Sequence, residues 1–174
     1  MAAESRLQPR PETPLVVVTI LNHRGVTDAW ECTLSVLNSD YPNFRVIIID
    51  NGSTDGSGDQ LRDLACDPRV TTVRSEENRG CVGGTNLAIA SALQMGAPYV
   101  LTLSNDIVVR RDVISRLVNI METEPQTGVI QPCILVHDEP ERIWSRGGTF
   151  SNWLARGFMP EVDRLYRVGD ERVI

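Results

Sequence analysis

Four short runs of branched and aliphatic residues recur along the chain: LVVVTIL (15–21), RVIIID (45–50), VTTVR (70–74) and YVLTL (99–103). LVVVTIL and RVIIID are continuous apolar runs, as strands buried on both faces require, where a strand with one wet face would alternate; VTTVR reads as a weaker strand. Between them the period changes. Apolar residues return at helical spacing over about 27–39 (Val26, Trp30, Leu34, Leu37) and 57–65 (Leu61, Leu64). They do so again over 83–95 (Leu87, Ile89, Ala90, Leu93) and 111–122 (Val113, Ile114, Leu117, Val118, Met121). Parallel strands need a long crossover between them, usually a helix. Four alternations of strand and helix therefore predict an α/β fold, with a mostly parallel central sheet flanked by helices on both faces. GVIQPCIL (128–135) reads as a fifth strand, after which the periodicity fades.

Local signals agree with these boundaries. Asp28 followed by Glu31 resembles a helix start. Tyr41-Pro42-Asn43 breaks the first helix, and Gly96 suits the position just past the end of the third. Residues 1–14 hold three prolines and mixed charge and no apolar stretch, so they read as a disordered leader rather than a signal peptide. The expected domain is 15–174. No apolar run is long enough to span a bilayer, and the expectation is a cytoplasmic protein. Peripheral association with the inner face of the membrane, through regions outside this sequence, is left open.

A formal net charge of −6 argues against a protein built to hold nucleic acid, which needs a basic face. It leaves room for a small phosphorylated ligand, which needs only a few donors. The four cysteines, at 32, 66, 81 and 133, form no CxxC pair and read as free thiols in a reducing compartment.

In an open α/β sheet, ligands bind outside the carboxyl ends of the strands, where the strand order reverses. Three polar clusters fall there: Asn22-His23-Arg24, Asp50 to Ser57, and Ser104-Asn105-Asp106. DNGSTDGS (50–57) also makes a good turn, with Asp55 or Ser57 as a cap for the next helix. As a calcium loop starting at Asn51 it fails, because Arg62 stands where a bidentate Glu is needed. Asp106 after a strand suits a hard divalent cation, which takes one or two carboxylates and completes its shell with phosphate and water. NRGCVGGTN (78–86) opens a helix with glycines at 80, 83 and 84. That spacing is not the dinucleotide fingerprint, and there is no P-loop. Its glycines serve either anion approach or close packing of helix on strand. His23 and His137 are far apart and suggest no triad.

Taken together and in order, these motifs resemble the inverting nucleotide-sugar glycosyltransferases of glycosyl transferase family 2, which have the Rossmann-like GT-A fold. The resemblance runs from about Leu15 to Gly157. It rests on VVVTILNHRG, LSVLNSDYPNFRVIIIDNGSTDGS, ENRGCVGGTNLAI, YVLTLSNDIVV, and GVIQPCIL with RIWSRGGTF. The last of these is similar to rhamnosyltransferase-like and galactofuranosyltransferase-like members.

The resemblance implies a UDP- or dTDP-sugar donor, with dTDP-rhamnose suggested by the branch, and a saccharide or lipid-linked acceptor. It implies that Asp50 accepts a hydrogen bond from the ring N–H of a uracil or thymine. Asn22 and the backbone near Thr19 and Leu21 would shape the base pocket, with a leucine at 21 where members often carry a tyrosine. Gly52 would let the backbone pass close to the nucleotide, and Asn78, Gly80 and Gly83 would border ribose and diphosphate. Ser104 and Asn105 lie in the metal segment, and Asp106 would bind Mg²⁺ or Mn²⁺. The family's first position there is Asp or Asn, so a serine at 104 leaves the metal to Asp106 and the diphosphate.

The family's general base lies in a later acidic motif that has no match before Ile174. No base is assigned, and the chain is expected to be either the donor-binding part of a longer enzyme or a short natural product with altered activity. Two further expectations follow from that. A truncated sheet would bury its open edge in a homo-oligomer. The alternative function is a nucleotide-sugar-binding or interaction module without catalysis. A sugar-phosphate nucleotidyltransferase would open with a glycine-rich first loop, which LNHRGV is not.

Overall fold

The computed structural model describes residues 13–151 and 156–158. The chain divides into two compact units, Met1–Ile114 and Ser115–Ile174.

The first unit is a four-stranded sheet in the order β3-β2-β1-β4. The strands are β1 (Val16–Asn22), β2 (Phe44–Asp50), β3 (Val70–Arg74) and β4 (Tyr99–Ser104), and every neighbouring pair is parallel. The chain moves outward from β1 to β2 to β3, then returns to place β4 on the other side of β1. The order therefore reverses between β1 and β4, and the crevice outside their carboxyl ends is where such a sheet takes a ligand.

The two faces are packed differently. Helix α3 (Gly80–Gln94) lies on one of them, presenting Gly84, Ala88 and Ala92 at four-residue spacing. Ala88 and Ala92 pack with Val17, Ile47, Ile49 and Ala97 in one core cluster. Residues this small let the helix backbone come close to the sheet. At Gly84 a Cβ would lie 2.5 Å from Leu21 Cδ1, so any side chain there would make Leu21 shift. Alternation along the strands turns Val16, Val18, Ile20, Val46 and Ile48 to the opposite face, and all five are buried. Helix α1 (Val26–Leu37) meets that face with Ala29, Cys32, Thr33 and Val36, and Leu61 and Leu64 of a 3₁₀ helix complete it. Burying one such aliphatic side chain contributes ~1.5–3 kcal/mol.

The helix expected over 57–65 is split. A single α turn, α2 (Ser57–Gln60), passes into the 3₁₀ helix Leu61–Cys66. The third helix starts at Gly80, three residues before the expected Gly83, because Asn78 Oδ1 accepts the Gly80 N–H at 2.8 Å. It ends at Gln94, and Gly96 just beyond takes φ +71. Residues 1–12 of the expected leader lie outside the described residues. Thr13 and Pro14 are held against the unit: Asn43 Nδ2 donates to the Thr13 carbonyl at 2.7 Å and Tyr41 Oη to the Pro14 carbonyl at 2.6 Å.

Helix α4 (Val113–Thr123) spans the division between the units. In the second unit the expected strand 128–135 does not form as read. Only its end is extended, as β5 (Ile134–Val136), which pairs antiparallel with β6 (Glu139–Ser145) in a separate two-stranded sheet. Pro132 has no N–H to give a ladder. Gln131 instead donates its side-chain amide to Ser145 Oγ at 2.8 Å. A second pair, β7 (Thr149–Ser151) and β8 (Arg156–Phe158), is also antiparallel. Among the described residues, no helix is long and apolar enough to cross a membrane.

Candidate functional site

Parallel register brings three polar residues into one row at the carboxyl end of the sheet. Asn22 on β1 is opposite Asp50 on β2, and Asp50 is opposite Arg74 on β3. In-register partners share a face, so these side chains lie side by side on the face that carries α1 and α2.

Asp50 is 3% exposed. Its Oδ1 accepts the Ser53 N–H at 3.0 Å. Its Oδ2 is buried and, among the described residues, has no hydrogen-bond donor. Arg74 Nε stands 3.3 Å from that oxygen, an ion-pair distance without hydrogen-bond alignment, so the attraction between them is coulombic. Gly58 presses on the same oxygen: a Cβ there would lie 2.0 Å from Oδ2. The carboxylate is thus seated between Gly58 and Arg74, with lone pairs to spare on both oxygens.

Asn51 joins two loops. Its Nδ2 donates to Asn78 Oδ1 and to the Gly80 carbonyl, each at 3.1 Å, and its Oδ1 accepts the Arg79 N–H at 3.0 Å. Its backbone N–H donates to the Asn22 carbonyl at 2.8 Å, and His23 Nδ1 lies 3.0 Å from its carbonyl, where a protonated ring nitrogen donates. Gly52, at φ +71, runs against the second loop so closely that a Cβ would lie 2.5 Å from the Glu77 carbonyl carbon. Only glycine meets both demands.

At the end of β4, Ser104 and Asp106 are exposed and Asn105 is half-buried. The side-chain amides of Asn105 and Asn22 meet at 2.8 Å. The same Asn22 terminus lies 3.1 Å from the carbonyls of Arg24 and Gly25. Two carbonyl neighbours identify it as the nitrogen. Asn22 therefore ties the β1 and β4 ends together across the reversal point. Beneath this turn, Cys32 Sγ donates to the Ser104 carbonyl at 3.7 Å. Burial, with the nearby Asp106 charge second, pushes the Cys32 thiol up to about 12.

The predicted residues thus fall in three places. Asn22, Asp50, Ser104, Asn105 and Asp106 lie at the ends of β1, β2 and β4. Gly52, Asn78, Gly80 and Gly83 lie on the two loops that Asn51 joins or on the first turn of α3. Thr19 lies mid-strand, buried between Ile47 and Thr102, with Leu21 near the strand end under Gly84. Sequence reasoning passed over Asn51, Ser53, Gly58 and Arg74. Arg74 carried one usable signal: it is the last residue of a strand, next to a sheet neighbour that ends in aspartate.

Among the described residues, no three His, Cys, Asp or Glu side chains converge as a metal cage. Asp106 offers one exposed carboxylate. Such a donor set fits a hard cation that arrives with a diphosphate and keeps its waters; it does not fit a cation held by protein groups alone.

Comparison with known proteins bears on this arrangement. The sequence model described as Glycosyl transferase family 2 matches residues 15–170. An N-acetylglucosaminyltransferase of Bradyrhizobium elkanii is 32% identical over 101 residues, covering 56% of this chain and 53% of its own length. Among solved structures, the mannosyltransferase PcManGT from Pyrobaculum calidifontis, in complex with GDP-Man and Mn²⁺, superposes with a TM-score of 0.61 at 24% identity. The match covers 75% of this chain and 39% of that one. S. aureus TarS 1-349, in complex with UDP, gives 0.54 at 17% identity, over 69% of this chain and 41% of that one. At such identities the likeness is one of fold, and the fold is GT-A. The chain spans from 28% to 53% of the length of the curated relatives it matches.

Proposed function

The chain belongs to glycosyl transferase family 2, and from that premise we propose that it binds a UDP- or dTDP-sugar across the carboxyl ends of β1, β2 and β4 and serves its transfer, with inversion, to an acceptor hydroxyl on a saccharide or lipid-linked glycan. The observation that carries this reading is Asp50. A carboxylate almost wholly buried at the end of a central strand, with unused acceptor capacity, suits the single ring N–H that uracil and thymine present.

The other residues support the same arrangement. Asn22 and Asn105 hold the β1 and β4 ends together at the reversal point. Asn51 fixes the Asn78–Gly84 segment beside Asp50. The start of α3, a helix of 15 residues, brings backbone N–H groups and the positive end of a helix dipole to the diphosphate. Asp106, with Ser104 hydrogen-bonding a bound water, is where the chain would hold Mg²⁺ or Mn²⁺. Bound there, such an ion would offset negative charge on the diphosphate.

In the reaction the acceptor oxygen bonds to the anomeric carbon as its bond to the diphosphate oxygen breaks. The nucleoside diphosphate leaves and the acceptor proton passes to a base, which none of the residues above supplies. Their task is to bind and orient the donor.

Isothermal titration with UDP, dTDP, GDP and ADP, each with and without Mn²⁺, tests this. The reading predicts binding of UDP and dTDP, tightened by Mn²⁺, with base preference lost in Asp50→Asn and the Mn²⁺ effect lost in Asp106→Asn. Equal binding of all four nucleotides, or wild-type behaviour of both variants, overturns it.

A further inference from the structure

The Arg74 guanidinium makes three contacts at once. Nε faces Asp50 Oδ2 at 3.3 Å, Nη1 reaches Asp59 Oδ1 at 3.4 Å, and Nη2 donates to the Ser53 carbonyl at 3.1 Å. Asp50, Ser53 and Asp59 all belong to the β2 end and the loop that follows it. Arg74 belongs to β3, held at this level by its in-register pairing with Asp50. One planar fork therefore ties that loop to the neighbouring strand at both ends and in the middle. Lysine, a single point charge, cannot hold three acceptors in one plane.

The loop needs such a tie. Ser53 N–H donates to Asp50 Oδ1, and Gly58 lies against Oδ2. Any drift of the loop would rotate the carboxylate. The side chain of Asp50 is 4% exposed and that of Arg74 is 48% exposed. The cation thus stands nearer the solvent than the acid it faces.

We infer that Arg74 is a positioning residue for recognition of the donor base: it fixes the orientation of the Asp50 carboxylate through its fork to Asp50, Ser53 and Asp59. This rests on the reading of Asp50 as the base acceptor. The role is to set which base is chosen. A residue with a merely structural role would weaken all nucleotides alike.

The test is the ratio of CDP to UDP dissociation constants, by calorimetry on the full chain. Cytosine has an acceptor where uracil has its ring N–H, so an oriented carboxylate prefers UDP. Arg74→Gln is expected to lower that preference by roughly tenfold, the scale of one hydrogen bond to a charged group, while CDP affinity changes little. Arg74→Lys, which keeps the charge and is the safer variant for folding, is expected to lose part of the preference. Equal weakening of UDP and CDP in Arg74→Gln, or full wild-type preference in Arg74→Lys, overturns the inference. Asp50→Asn separates the two levels. Loss of preference there with none in the Arg74 variants rejects the role of Arg74 alone, and no loss in Asp50→Asn rejects the base acceptor itself.

Discussion

The side-chain nitrogen of Asn51 donates to Asn78 Oδ1 and to the Gly80 carbonyl, both at 3.1 Å, and so welds the loop after β2 to the start of α3. Both partners are acceptors. A carboxylate at 51 would present two oxygens to them and have no proton to give. Asn51→Asp is therefore expected to destabilise the fold by about 1–3 kcal/mol, the cost of buried polar groups left unsatisfied. That corresponds to a fall of roughly 2–4 °C in Tm per kcal/mol for a chain of this size. Thermal unfolding followed by circular dichroism checks it. A Tm equal to wild type would mean the two loops are not held together by this amide.

Gly25 and Gly52 share φ +71, but their surroundings differ. A Cβ on Gly25 meets nothing within 4 Å, whereas one on Gly52 meets Glu77 and Asn78 backbone at 2.5 and 2.6 Å. Alanine at 25 carries only the left-handed backbone cost, about 1–2 kcal/mol. Alanine at 52 adds displacement of the adjoining loop. The Tm of Gly52→Ala is expected well below that of Gly25→Ala, and equal values would contradict the close approach of the two loops.

Gly58→Ala should act on binding as well as stability. Its Cβ would overlap Asp50 Oδ2 at 2.0 Å, so the carboxylate must turn. UDP affinity measured by titration is expected to fall in step with that of Asp50→Asn. Gly56→Ala, strained but open, should keep it.

Asp67 shows how stability depends on pH away from the site. Hydrogen bonds from the Arg69 side chain, then from its backbone, hold the Asp67 carboxyl down at about 2 against an ordinary 3.8. A depressed carboxyl stabilises the fold above the unfolded value and loses that contribution as pH falls through the folded one. The Tm difference between wild type and Asp67→Asn is expected to be full above pH 3.8 and to close toward pH 2. A difference that stays constant over that window would refute the pairing.

Cys32 and Cys81 should separate in reactivity. Thiolate is the reactive form, and burial, with the Asp106 charge, pushes Cys32 up to about 12. Cys66 and Cys81 are exposed. Iodoacetamide with mass spectrometry is expected to label Cys66 and Cys81 in the folded protein and Cys32 only after unfolding. The sign for stability follows: a thiol raised in the fold stabilises below its unfolded value near 9.0 and ceases to as pH rises toward 12.

The centre of the sheet was legible because β1 and β2 carry no alternation. LVVVTIL and RVIIID can only be central in an α/β layer, and they are β1 and β2, paired in register from Val16–Phe44 to Asn22–Asp50. The second unit was not. GVIQPCIL is as apolar as a buried strand, but Pro132 interrupts it, and the partner strand EPERIWS is too charged to read as one before its pairing is known. Asp50 and Asp106 stood out as acids after strands. Arg74 and Gly58 did not, since their relation to Asp50 depends on strand register and on a helical turn returning over the carboxylate. Neither spacing nor composition encodes that.

A crystal of the full chain grown with UDP and Mn²⁺ tests the central claim most directly, through the distance from the uracil ring N3 to the Asp50 carboxylate. The account predicts a hydrogen-bonding distance of about 2.7–3.2 Å, with the diphosphate lying toward Asp106 and the start of α3. Uracil bound away from the ends of β1 and β2, out of reach of the Asp50 carboxylate, would contradict it.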